Sequence, residues 1–289
     1  IIIPLRVYRS TQLYKRLWTA QGSPLIIYSQ EMAEKLEAMT GKNLKVFSAM
    51  RYGNPGYKEA LRKIEAGGFK NLFVMPLFPQ YAMSTTGTAL EAVKKEIRQR
   101  NIDIQLIIKD QFYDHPLFIK ALSRQIKKYN PSSYDHIIFS YHGLPDRHLE
   151  KCHPGISPAD CQCDHYMPEY GGYCYRATCY ATSRLLAKEL KLAPDGYTVA
   201  FQSRLSKNWM APFTDDVLLE LVSKGCKRIL VVAPSFVADC LETLIEIGED
   251  YQKLFKEAGG EKLQLVSSLN ASDLWIEALA EIVNESINR

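Results

Sequence analysis

The chain has 289 residues, 46% of them hydrophobic and 24% charged, with a formal net charge of +4. These values suit a soluble globular protein of one large or two compact domains. No run reaches the ~18 apolar residues of a membrane span, and the basic residues are scattered rather than gathered into a nucleic-acid groove. The absence of a visible secretory signal points to a reducing, cytoplasmic compartment.

In chain order, the pattern predicts a helix over Gln30–Met39, a strand over Leu44–Ala49, a helix over Tyr57–Ala66 and a strand over Leu72–Leu77. A helix over Thr86–Gln99, a strand over Ile104–Ile108 and a helix over Pro116–Tyr129 follow. The second part reads strand His136–Tyr141, helix Tyr175–Leu190, strand Thr198–Phe201, helix Pro212–Lys224 and strand Arg228–Ala233. It ends with helix Asp239–Ala258, strand Leu263–Val266 and helix Ala271–Asn288. Strands apolar on both faces and separated by helices indicate parallel sheets covered on both sides. Two stretches, Glu65–Pro76 and Lys224–Pro234, repeat one layout of helix end, glycine turn, strand and proline. The expected fold is therefore α/β, with two similar Rossmann-like halves over 1–112 and 113–289 and a cysteine-rich insertion over 146–174 in the second. In open α/β sheets ligands bind outside the carboxyl ends of the strands, so the loops that follow the strands are the informative ones.

His142 follows the strand His136–Tyr141, and Gly143 and Pro145 favour a tight turn there. A histidine in that position suits a proton acceptor near neutral pH, although a loop cap is an equal reading. Glu242, Glu246 and Asp250 stand four residues apart, which on an α-helix makes one acidic stripe. Such a stripe costs stability unless cations or protons use it; the alternative is a solvated face at a helix start. Arg51 and Tyr52 follow one strand, Tyr81 and Ser84 lie in a hydroxyl-rich loop entering a helix, and Trp209 closes the segment Phe201–Trp209. Together these suit a flat, apolar, anionic ligand; singly, each aromatic reads as core.

Five of the seven cysteines, Cys152, Cys161, Cys163, Cys174 and Cys179, fall in one short stretch. A disulfide between Cys161 and Cys163 would close a strained one-residue loop. Thiolate ligation of a metal or an iron–sulfur cluster suits the spacing better. Cys174 and Cys179 flank a helix start and point roughly 140° apart at ~100° per residue, so one of them is expected to be spare. Zinc, with His153 or His165 in place of a thiolate, is the alternative to a cluster.

The segments Gly22-Ser23-Pro24, Met50-Arg51-Tyr52, Pro79–Gly87, Ser140–Pro145, Phe201–Trp209 and Asp239–Asp250 occur in the order found in ferrochelatases, and the chain resembles that family over its whole length. The resemblance implies insertion of Fe2+ into a porphyrin, protoporphyrin IX or coproporphyrin III, in haem biosynthesis. It implies a porphyrin cleft between the two halves, with His142 taking pyrrole protons, Glu242 opposite it, and Glu246 and Asp250 continuing an acidic path. Substrate iron would meet His142 and Glu242, and Arg51, Tyr52, Tyr81, Ser84 and Trp209 would line the porphyrin site. Three departures stand out. The family's first strand and one lip of the cleft have no counterpart in the sequence. Cys240 stands where many relatives have histidine. Met83 stands where some have a cluster cysteine, so a [2Fe-2S] cluster would have to use the internal insertion, with structural zinc as the alternative. The implied partners are a porphyrin and ferrous iron, with no nucleic acid. Peripheral membrane contact is compatible with the sequence, and the oligomeric state is left open. Two other functions are weighed: a related tetrapyrrole chelatase for cobalt or iron, and a non-catalytic porphyrin- or haem-binding redox sensor.

Overall fold

Parallel pairing of apolar runs dominates the architecture. The structure, a computed structural model, describes residues 11–41, 44–153, 155–157 and 160–288. After a helix over 11–17 come α1 (Pro24–Thr40), α2 (Tyr57–Ala66), β1 (Asn71–Val74), α3 (Thr88–Arg100), β2 (Gln105–Ile108) and α4 (Pro116–Lys127). The second part carries β3 (His136–His142), α5 (Tyr175–Leu190), β4 (Tyr197–Gln202), α6 (Thr214–Ser223), β5 (Arg228–Val232), α7 (Gln252–Glu257), β6 (Lys262–Leu265) and α8 (Asp273–Ile287). β1 pairs with β2 in one parallel sheet, and a second parallel sheet has the order β4-β3-β5-β6. β3, with both neighbours in place, is buried along its length until His142. That burial explains its run of Ile137, Ile138 and Phe139 with no polar alternation.

Two expectations change. Leu44–Ala49 forms no strand, because a strand exists only through ladder hydrogen bonds and the partner of β1 is β2. The Val46 N–H is instead taken by the Glu37 carboxylate at 2.9 Å, while Leu44 and Val46 pack on the core. The helix expected from Asp239 is wound as a π-helix over Glu242–Tyr251 before it becomes α7. A second π-turn, Met83–Gly87, opens α3. Such i→i+5 windings are rare overall and frequent at functional sites.

α8 reaches back across the molecule, packing on α1, α4 and β2. Its Trp275 is fully buried, stacks on Phe112 at 5.7 Å, meets Phe118 edge-on at 5.7 Å, and directs Nε1–H to Met32 Sδ at 3.2 Å. Trp275→Ala is expected to cost about 3–5 kcal/mol, since the cavity would open where several elements meet. Chemical denaturation followed by far-UV circular dichroism measures that loss.

Candidate active site

His142 ends β3 and lies opposite Gln202, the last residue of β4. Two parallel strands thus deliver a histidine and a glutamine side by side at their carboxyl ends. His142 Nδ1 is 2.7 Å from the Gly143 carbonyl oxygen. A carbonyl only accepts, so Nδ1 carries the proton and Nε2 of the neutral ring keeps its lone pair. The Tyr175 hydroxyl donates to the His142 carbonyl at 3.0 Å and fixes the backbone from the other side. Burial pushes that phenol well above its ordinary value, so it remains a donor. The Trp209 and Phe236 rings stand 6.4 and 6.5 Å from the imidazole. A Cβ on Gly143 would come within 3.0 Å of the Gln202 carbonyl oxygen and 3.5 Å of the Trp209 ring. Glycine is therefore what allows the turn after His142 to lie close against β4.

Gln202 is 1% exposed and every polar atom of its side chain is used. Its carbonyl accepts the Gly143 N–H at 2.8 Å. Its Oε1 accepts from Ser140 Oγ at 2.8 Å, and Ser140 Oγ in turn meets Thr214 Oγ1 at 2.8 Å. Its Nε2 donates to the Glu242 carbonyl at 2.9 Å and to Glu246 Oε2 at 3.2 Å. One residue therefore touches both the His142 turn and the first residue of the π-helix.

The three carboxylates of that helix have different surroundings. Glu242 accepts a hydrogen bond from the Cys240 thiol, which burial and then this carboxylate push well above its ordinary pKa. Glu246 is taken up by Ser203, Gln202 and Tyr251. Asp250 pairs with Arg16 at 3.0 Å, and the same guanidinium holds Glu249. The winding also alters the stripe: with i→i+5 bonds, residues four apart fall short of a full turn rather than overshooting it.

The porphyrin-site candidates fall into three groups by their contacts. Trp209 joins His142. The Arg51 guanidinium lies 4.6 Å from the Tyr52 ring and 5.6 Å from Tyr57, with its Nε buried and without a hydrogen-bond partner, while Tyr52 is exposed. Ser84 is exposed in the π-turn, whereas Tyr81 meets Tyr173 of the neighbouring segment edge-on at 5.2 Å. Arg204 is already spent on Asp215 and Asp216, over the Phe213 ring.

Of the five clustered cysteines, Cys152 is exposed and its thiol donates to the His148 carbonyl, while Cys161, Cys163, Cys174 and Cys179 are buried. Cys163 is hydrogen-bonded to Cys161 with the charge of Arg176 nearby, and burial pushes its thiol up. Cys174 caps α5; burial raises it to about 11, although the Ala177 and Arg176 N–H groups bond its sulfur and oppose that rise. Cys179 bonds Tyr175. His153 donates from Nδ1 to the Ile156 carbonyl at 3.1 Å, leaving Nε2 buried and without a partner. Among the described residues, no three His, Cys, Asp or Glu side chains converge closely enough to hold a metal ion as placed.

The residues that the sequence reading did not select are Gln202, Ser203, Tyr251 and Tyr175. The one signal for Gln202 was a polar residue directly after an apolar strand, in register with His142.

Comparison with known proteins gives a consistent picture. The family model described as ferrochelatase matches residues 1–287. A ferrochelatase of Coxiella burnetii strain Dugway is 42% identical over 290 residues, covering 99% of this chain and 80% of that protein. One from Legionella pneumophila strain Corby is 42% identical over 291 residues, covering 99% and 86%. Among solved structures, SirB from Bacillus subtilis with Fe3+ superimposes with a TM-score of 0.60 at 15% identity, covering 92% of each chain. The sirohydrochlorin chelatase SirB with cobalt gives 0.59 at 14%, again over 92% of each. At such identity the likeness speaks for the fold: paired α/β halves. Among the described residues, no helix is long and apolar enough to cross a membrane.

Proposed function

The chain belongs to the ferrochelatase family, and from that premise we propose that His142 accepts the pyrrole protons and Glu242 meets the incoming metal as Fe2+ is inserted into a porphyrin for haem synthesis. The observation that carries this reading is the 2.7 Å contact of His142 Nδ1 with the Gly143 carbonyl oxygen, which puts a ring proton on Nδ1 and leaves Nε2 to act as the base. Metallation removes two N–H protons from a flat macrocycle as the dication enters. His142 Nε2 takes each proton in turn and passes it to water. Glu242, beside a protonated Cys240 thiol that can only donate to it, offers negative charge to the metal. Arg51, with an unpartnered Nε, suits a propionate, and Tyr52 and Trp209 suit the faces of the ring. The test is insertion of Fe2+ into protoporphyrin IX and coproporphyrin III by the purified protein, followed by the loss of porphyrin fluorescence. Turnover with either supports the reading, and turnover with neither sinks it.

The insertion supports a second, separable reading, a thiolate-bound centre of the [2Fe-2S] type. Its donors fit such a group in chemistry. Cys161, Cys163 and Cys174 act electrostatically on one another, Arg176 lies beside Cys163, and a helix N-terminus faces Cys174. Cys152, Cys161 and Cys163 with one of Cys174 and Cys179 would supply the four thiolates. When bound, the cluster would supply folding free energy to the insertion. Anaerobically purified protein is expected to be reddish-brown, with a paramagnetic signal on reduction. Serine at Cys152, Cys161 or Cys163 should bleach it, and serine at only one of Cys174 and Cys179 should do so. Colourless protein with one zinc per chain would replace the cluster by a structural zinc site, with His153 as the natural nitrogen donor.

A further inference from the structure

Glu246 is surrounded by donors on every side. Its Oε1 accepts from the Ser203 N–H at 2.8 Å and from the Tyr251 hydroxyl at 2.9 Å. Its Oε2 accepts from Ser203 Oγ at 2.5 Å and from Gln202 Nε2 at 3.2 Å. A carboxylate has about four acceptor sites, so nothing is left over for a passing cation unless one of these bonds breaks. Three of the four donors belong to Gln202 and Ser203, where β4 ends.

Ser203 has φ of +61°, a left-handed conformation that a residue with a Cβ adopts at a cost. The bonds from its N–H and Oγ to one carboxylate hold it there. Directly before it, Gln202 divides its groups between the two halves of the chemistry. Its carbonyl holds the Gly143 N–H after His142, and its amide holds the Glu242 carbonyl at the start of the π-helix. Any drift of the Gln202–Ser203 peptide would move the base and the metal-facing carboxylate relative to each other.

We propose that Glu246 is a positioning residue: it clamps Ser203 and Gln202 so that Gln202 sets the placement of His142 against Glu242. This deepens the reading of His142 and Glu242 as the reacting pair and rests on it. The π winding serves the same end, since it lets Glu242 meet Gln202 through its carbonyl while Glu246, four residues on, meets the same amide through its carboxylate.

The test is the steady-state kinetics of Fe2+ insertion by Glu246→Gln, alone and combined with Ser203→Gly. An amide at 246 cannot accept all four donors. Glu246→Gln is expected to lower kcat by about tenfold to a hundredfold, the scale of a small misplacement of reacting groups, with the apparent KM for Fe2+ little changed. Adding Ser203→Gly should recover about threefold to fivefold of kcat, because glycine takes the left-handed conformation without the clamp. A raised KM for Fe2+ at unchanged kcat would make Glu246 a carrier of metal and overturn the proposal. So would a double variant no faster than Glu246→Gln. If Glu246→Gln does not fold, Tyr251→Phe removes a single donor and should lower kcat about twofold to fivefold at constant KM for Fe2+; unchanged kcat there is equally decisive against the clamp. His142→Ala run alongside separates the two levels. Normal turnover by that variant defeats the reacting pair itself, whereas an inactive His142→Ala with an unimpaired Glu246→Gln defeats only the clamp.

Discussion

His142→Ala is expected to abolish metallation while the porphyrin still binds. The imidazole is the group with a free lone pair where β3 ends, and loss of a positioned base costs about 10²–10⁴ in rate. Binding should survive because Arg51, Tyr52 and the exposed apolar side chains stand on other elements. Porphyrin fluorescence titration and a turnover assay on the same preparation separate the two effects. Near-normal turnover would make His142 a structural turn residue, held by Gly143 and Tyr175 for packing alone.

Glu242→Gln is expected to be the next most damaging change, lowering kcat by roughly 10²-fold. The amide removes the negative charge offered to the dication and turns an acceptor from Cys240 into a group that also donates. Its backbone bond from Gln202 would persist, so the fold and the placement of the π-helix should be unaffected. The informative comparison is with Asp250→Asn. Asp250 is half-exposed and shares Arg16 with Glu249, so neutralising it breaks only a solvent-screened pair. Equal, small effects at both positions would mean that the acidic stripe is a solvated surface.

Much of this was legible in the sequence, and the rest was hidden for identifiable reasons. The strands around His136–His142 and Arg228–Val232 were readable because runs that are apolar on both faces have one stable environment, a covered parallel sheet. Leu44–Ala49 is also rich in apolar residues, though interrupted by Lys45 and Ser48, but it has no ladder, because pairing is a property of neighbours and not of the segment. The placement of His142 at a strand's carboxyl end followed from the apolar run before it and the turn residues Gly143 and Pro145 after it. The three acidic residues were visible as a stripe, but period-3.6 reasoning assumes an α-helix and the segment winds as a π-helix. Their separate fates depended on Arg16, Ser203 and Tyr251, which contact them from elsewhere in the chain or through the altered winding. Gln202 was the hardest to see. A single polar residue after Phe201 has no periodic signature, and its importance comes from four partners distant in sequence.

The return of α8 across the molecule bears on the order in which the chain acquires its structure. Trp275 fills a space between Met32, Phe112 and Phe118, all synthesised more than a hundred and fifty residues earlier. A nascent chain emerges amino-terminus first and usually folds unit by unit. The contacts of Trp275 with Met32, Phe112 and Phe118 can form only after the final helix has been made. This part of the core is therefore completed by a side chain made near the end of synthesis, and a chain cut short before α8 lacks it.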